Sequence, residues 1–275
     1  MSAQKQSFRG LITITTGTND TIDWQEDDSG TPKNLSKVLT ISGAQWPADI
    51  ATQIGTDMTT QSAATGDTIT YTAAIDNDTG ITTITASAGT FRLEVTASES
   101  QKLLTGGDQT AGSRGANHFG WNVDSGYPTA ALTQVGDAAH ANAWYPTAPD
   151  SGPTMRDDDL GNLSSFAIES RSLGGTVKSY DFGDSTRGSR NLEERALSFE
   201  YLTAASRTQY EEEFWLVYAK QGSPDGRFRF FVDRSTATSV VYHLTGDSLT
   251  SATFQRTTAG ISRWSLDLSI KRYKA

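Results

Sequence analysis

The sequence predicts a mainly β protein with α+β elements: a small N-terminal α+β module, and a C-terminal β-sandwich or split barrel with one packed helix. Three observations predict it. Residues 226–232 (GRFRFFV), 239–244 (SVVYHL), 249–256 (LTSATFQR) and 261–273 (ISRWSLDLSIKRY) alternate polar and apolar side chains at the period of a half-buried strand, with Asp-, Gly- and Ser-rich turns between them. Each half carries one stripe at helical spacing: Ile50, Ile54 and Met58 in the first, Tyr210, Phe214, Val217 and Tyr218 in the second. Finally, Thr, Ser, Gly and Ala are abundant, as in turn-rich β proteins, while 36% apolar content with 6 Trp, 9 Tyr and 11 Phe argues against disorder.

The N-terminal module spans residues 1–104. Residues 9–16 (RGLITITT) read as a strand, TIDWQED as the start of a turn that ends at Gly30, Pro32 and Asn34, and residues 36–42 (SKVLTIS) as a second strand. Pro47 suits the first position of a helix, where its missing N–H costs nothing, and that helix should fray around residues 61–66. TITYTAAI and GITTITA form a hairpin around Asp76-Asn77-Asp78-Thr79-Gly80, whose Asn, Asp and Gly tolerate left-handed backbone. TFRLEVT is a further strand.

Residues 105–162 change character. Gly, Pro, Asp and Ser dominate, with Phe119, Trp121, Tyr127, Trp144 and Tyr145 set among them. The stretch is too long for an idle connection and too aromatic for a flexible linker, so it reads as long loops packed over strands or over a neighbouring subunit. Trp121, Tyr127, Trp144 and Tyr145 are the candidate interface residues. The same rings could stack on sugars, which makes a carbohydrate-binding surface the alternative from a different functional class.

The C-terminal domain spans residues 163–275. SSFAIESRS, GTVKSYDFG and ERALSFEYL supply three strands, and a helix follows over about residues 204–220. Ser206 and Gln209 fit the capping box, Glu211–Glu213 lie towards the positive end of the dipole, and Gly222 is the stop. The four alternating runs complete the domain. In the last of them Trp264, Leu266, Leu268 and Ile270 share the apolar face.

Charge and motif content narrow the function. The net charge is −9, with −7 in the first 110 residues and +2 over residues 161–275, so no concentrated basic face points to nucleic acid. With no Cys, neither disulfides nor thiolate metal sites can form, and no apolar run is long enough to span a membrane. The first ten residues, MSAQKQSFRG, lack the apolar stretch of a signal peptide, which predicts a soluble protein made in a cytoplasm.

His118, His140 and His243 have no carboxylate or second His at ligand spacing, and His243 should face solvent or a neighbour. Asp157, Asp158 and Asp159 read as a solvated turn sooner than a calcium site, and Ser87 stands where a calcium loop begun at Asp76 would need Glu. No pair of carboxylates is singled out for glycosidase chemistry, and Gly106-Gly107 and Gly174-Gly175 lack a phosphate-loop context. The expectation is a protein without enzymatic activity, cofactor or metal.

Two stretches resemble structural proteins of tailed bacteriophages. Helix entry at WPADIATQIGTDM, then Tyr71-Thr72, the Asp78–Gly80 turn, Phe91-Arg92-Leu93 and Leu103-Leu104 before Gly106 resemble a small module of tail and baseplate proteins. The Phe214-Trp215 helix, Gly222 and Gly226, Phe228-Arg229-Phe230 and Trp264-Ser265-Leu266-Asp267-Leu268 resemble the ring-forming domain of distal tail proteins, though the central region here is longer and more aromatic. The resemblance implies a virion protein of the tail tip or baseplate. It would form a homo-oligomeric ring, bind other tail proteins and couple the tail tube to receptor-binding components. A tail-tube, tail-completion or neck protein is the alternative within that class.

Overall fold

The structure, a computed structural model, describes residues 6–27, 30–93, 102–105, 119–121, 129–146, 155–160, 167–171, 177–181, 194–220, 226–231, 234, 239–245, 254–258 and 261–272. The chain is mainly β. In order, the elements are β1 (Ser7–Gly10), β2 (Ile12–Ile14), β3 (Thr21–Asp27), β4 (Lys33–Val38), β5 (Gly43–Gln45), α1 (Pro47–Ala64), β6 (Tyr71–Ile75), β7 (Ile81–Ala86), β8 (Thr90–Leu93) and α2 (Lys102–Thr105). They continue with β9 (Thr133–Ala139), β10 (Ala143–Trp144), β11 (Met155–Leu160), β12 (Ala167–Arg171), β13 (Val177–Asp181), β14 (Glu194–Leu202) and α3 (Ala204–Thr208), which runs on as a π-helix over Gln209–Lys220. Last come β15 (Phe228–Phe231), β16 (Val240–Leu244), β17 (Phe254–Thr258) and β18 (Ile261–Arg272).

The N-terminal core forms around α1. Pro47 occupies its first turn after an extended Trp46, and the stripe Ile50, Ile54 and Met58 is fully buried. Two three-stranded sheets, β4-β3-β8 and β6-β7-β9, curl around the helix. They are stitched together where Phe91 of β8 and Ala131, just before β9, exchange both backbone hydrogen bonds, at 2.9 and 3.0 Å, while the Ala86 N–H, donating to the Leu132 carbonyl at 2.9 Å, extends the β7–β9 ladder. Trp24, Tyr71, Ile84, Phe91, Leu93, Leu103, Leu104, Phe119 and Trp121 fill the space between. Gly55 lets α1 approach β6, since a Cβ there would stand 2.9 Å from the Tyr71 carbonyl oxygen.

TIDWQED, expected as a turn, is the strand β3. Its Ile22, Trp24 and Glu26 point inward in strict alternation, and β4 and β8 pair with its two edges. The stretch of residues 105–162, expected as loops, contributes β9, β10 and β11. There the ladder partners come from distant parts of the chain, which local periodicity does not reveal.

The second core lies on an eight-stranded antiparallel sheet of order β10-β1-β15-β16-β18-β14-β11, with β17 also paired to β18. The 12-residue β18 holds it together, pairing β14 along one edge and β16 and β17 along the other. The sheet takes strands from all three expected segments. β1 comes from residues 7–10 and sits between β10 and β15, so the expected single strand over residues 9–16 is split. Beyond Leu11, β2 leaves for a separate pairing with β5. The strands β12 and β13, expected in the domain, form a two-stranded hairpin of their own.

Phe8, Trp144, Leu197, Phe199, Phe228, Phe230, Tyr242, Leu266, Leu268 and Ile270 share this core with Tyr210 and Phe214 of the helix. Trp264 is half-buried at its margin. The helix is capped by Thr203, whose hydroxyl accepts from the Ser206 N–H at 3.1 Å, in place of the expected cap at Ser206. The run Asp157–Asp159 lies in β11, paired with β14, and is not a turn.

Candidate functional site

The two cores meet along the outer side of β1. Period-2 alternation sends Phe8 into the second core and Arg9 to the opposite face, where the Asp76–Gly80 turn of the N-terminal sheet comes up against it. Arg9 is 8% exposed. Its Nε donates to Ser7 Oγ at 3.2 Å, Nη1 to Asn77 Oδ1 at 2.8 Å and Nη2 to the Asn77 carbonyl at 3.0 Å. The guanidinium lies over Phe231 at 4.1 Å and Tyr145 at 5.5 Å. Burial lowers the Arg9 pKa from its ordinary value.

The turn is preorganised for this contact. Asp76 Oδ1 accepts from the Asp78 N–H at 2.9 Å, the Thr79 N–H at 2.7 Å and the Thr79 hydroxyl at 2.8 Å, and the Thr79 hydroxyl bond is the main cause of its lowered pKa. Asp78 Oδ1 accepts from Arg234 Nε at 3.0 Å. One oxygen of each aspartate in this loop, Oδ1, is thus taken by protein donors. Gly80 closes the turn at φ 72°, and a Cβ there would run into the Tyr145 ring.

Tyr145 and His140 complete the joint. The His140 Nδ1 lies 2.8 Å from the Ala141 carbonyl, which can only accept, so Nδ1 carries the proton. Its Nε2 meets the Tyr145 hydroxyl at 3.1 Å. Burial pushes the Tyr145 phenol up to about 12. The His140 N–H donates to the Gly80 carbonyl at 3.0 Å, and Asn142 Nδ2 donates to the Leu11 carbonyl at 2.6 Å.

Beside Arg9, directly across the β1–β15 ladder, stands Arg229. Its guanidinium rests 4.3 Å from the Trp46 ring centroid, at the N-terminus of α1. A cleft of about 60 Å³ opens between them, lined by Arg9, Arg229, Trp46, Phe231, Asn77 and His140 among others.

No protein-family model, curated protein or solved structure matches this chain. The geometry therefore speaks for itself. Among the described residues no group of three or more His, Asp or Glu side chains could hold a metal ion, and no helix is long and apolar enough to cross a membrane.

Of the four expected interface residues, three are interior. Trp121 belongs to the first core, Trp144 is fully buried in the second, and Tyr145 is 4% exposed at the joint between them. Side chains already withdrawn from water by their own chain have no surface left to bury against a neighbour, so these three are corrected from subunit anchors to internal ones. Tyr127 and His118 lie outside the described residues.

Trp144 Nε1 donates to the Ser206 carbonyl at 2.9 Å and lies 3.2 Å from its hydroxyl, while the Tyr145 N–H donates to Gln209 Oε1 at 3.1 Å. The two residues expected to cap the helix instead grip β10. The arginines at the joint were invisible as a group in the sequence, where Arg9 and Arg229 read as the polar side of alternating strands. Only the pairing of β1 with β15 brings them together.

A second polar cluster lies inside the N-terminal core. Glu26 is 1% exposed and accepts from Tyr71 Oη at 2.7 Å, Ser62 Oγ at 3.1 Å and Trp24 Nε1 at 3.4 Å. Burial raises its pKa, and burial likewise raises that of Tyr71. Asp67 beside it is held low by Lys33, whose Nζ lies 2.6 Å from Oδ2. No described cavity opens onto these groups, and their hydrogen bonds serve packing.

Proposed function

We propose that this chain is a non-enzymatic structural virion protein of a tailed phage. It would form part of a symmetric baseplate or tail-tip ring that couples the tail tube to receptor-binding components, after synthesis in the host cytoplasm. The observation that carries the reading is where the residues of the resemblance fall. Phe214, Phe228, Phe230, Leu266 and Leu268 share one core, and Tyr71, Phe91, Leu93, Leu103 and Leu104 share the other. The reading requires each set to pack as one unit, and each does.

Sheet edges supply the means of assembly. Among the described residues, β4 is an edge strand paired only with β3, and its Val38 is 55% exposed; Leu132 and Val135, before and within β9, are also exposed apolar side chains. An edge strand of that character can pair with another copy, and repeated heterologous pairing closes a ring. The carbohydrate-binding alternative relied on exposed aromatic faces, and Trp144 offers none.

Light scattering and electron microscopy of concentrated protein, alone and with tail components, test the reading. Closed rings are the expected result. Open filaments would instead favour a tail-tube protein, and a strictly monomeric protein under every condition would overturn assembly altogether.

A further inference from the structure

The cleft between the cores has the chemistry of an anion site. Arg9 is a buried guanidinium whose hydrogen bonds all go to neutral acceptors, Ser7 and Asn77. Arg229 stands opposite it on the same sheet face and makes no hydrogen bond to a described residue. Like charges directly across a ladder repel, and a buried cation without a hydrogen-bonded anion is costly.

The nearby carboxylates do not meet this need. Asp76 Oδ1 is committed to its own turn and Asp78 Oδ1 to Arg234. Asp49, exposed on the first turn of α1, acts on Arg229 only through its field. Arg234 is 5% exposed and its Nη1 is buried without a partner among the described residues, adding positive potential at the same joint.

We propose that the cleft binds a carboxylate group through the Arg229 guanidinium, with Arg9 supplying the field and Trp46 and Phe231 the walls. Size and charge select this class. A cleft of about 60 Å³ has room for about four waters by the one-probe criterion, which suits a carboxylate with one or two carbons behind it. Asp49, Asp76 and Asp78 already stand near the three arginines, so the joint has no surplus of positive charge to hold a dianion, which leaves a singly charged group. The Arg229 guanidinium, 4.3 Å from the Trp46 ring centroid, has a planar fork of donors that matches the two oxygens of a carboxylate.

The test uses the full chain and sodium acetate, with chloride and phosphate at the same ionic strength as comparison anions. The readout is the NMR signal of the Trp46 indole. Acetate should shift that signal saturably and chloride should not. Arg229→Gln should weaken acetate by at least about tenfold, in line with the loss of a charge-assisted hydrogen bond.

Arg229→Lys keeps the charge without the fork and should fall between the two. It also carries the test if the Gln variant misfolds. No saturable shift with acetate, or an unchanged shift in both variants, would refute the site. Tighter binding of phosphate than of acetate would refute the carboxylate assignment.

Discussion

Removing the Trp144 side chain separates an internal role from a surface one. The indole is fully buried, with ring centroids 5.1 Å from Phe8, 4.9 Å from Phe199 and 4.8 Å from Tyr210, and its N–H donates to the Ser206 carbonyl at 2.9 Å. Truncating a buried Trp to Ala costs about 3–5 kcal/mol, and losing a hydrogen bond adds about 1 kcal/mol. Trp144→Ala should therefore cost about 4–6 kcal/mol, about a quarter or more of the roughly 5–15 kcal/mol of an ordinary domain. Trp144→Phe keeps most of the ring contacts and loses the hydrogen bond, so about 1–2 kcal/mol is expected.

Trp264 is the internal control. It shares its strand face with Leu266 and Leu268, and the sequence alone suggests a full core truncation. The structure leaves it half-buried with Arg207 stacked 4.2 Å from its ring, so Trp264→Ala should cost less, about 1–3 kcal/mol. Urea unfolding followed by circular dichroism gives the midpoints and slopes of all four proteins. If Trp144→Ala lay within about 1 kcal/mol of wild type, or cost less than Trp264→Ala, the placement of β10 beneath the helix would be wrong.

Gly80→Ala combines a positive φ with a collision against Tyr145, and should cost about 2–4 kcal/mol in the same assay. Asp78→Asn removes the anionic partner of a buried arginine but leaves an exposed acceptor in place. A loss of about 1 kcal/mol that shrinks with added salt is expected. Burial raises the Glu26 carboxyl, so the folded chain keeps that proton to higher pH than the unfolded chain. Its contribution is full below the ordinary glutamate range and is lost as pH rises through the raised value, and Glu26→Gln should flatten that limb of a stability-against-pH curve. Asp67, held low by Lys33, works in the opposite sense: its contribution is present above the ordinary aspartate range and is lost as pH falls, and Lys33→Met should flatten the acid limb.

Local chemistry was readable wherever a residue type has one use. Pro47 and the stripe Ile50, Ile54 and Met58 define α1, the Asp76–Gly80 stretch is the hairpin turn, and the alternation of Leu266, Leu268 and Ile270 gives the face of β18. Ambiguity began where two residues could serve one purpose. Thr203 and Ser206 both suit an N-cap, and the Gln at position 209 favoured Ser206. The structure uses Thr203 as the cap because Ser206 and Gln209 hold Trp144 and Tyr145. Composition likewise cannot say whether an aromatic in a Gly-rich stretch is buried by its own chain or by a neighbour.

Pairing between distant segments left no trace at all in local pattern. Nothing in SFRGLITI announces that Phe8 and Ile12, four residues apart, serve different cores, yet β1 and β2 belong to different sheets. The consequence is mechanical. β1 is an internal strand of the second sheet, and Arg9 on its other face ties that sheet to the Asp76–Gly80 turn of the first. A displacement of either sheet is therefore felt at Arg9, Tyr145 and the cleft they border, so a group bound there would sense the relative position of the two cores. That joint is where movement between the two cores and binding in the cleft would be coupled, because Arg9 belongs to the contact and borders the cleft.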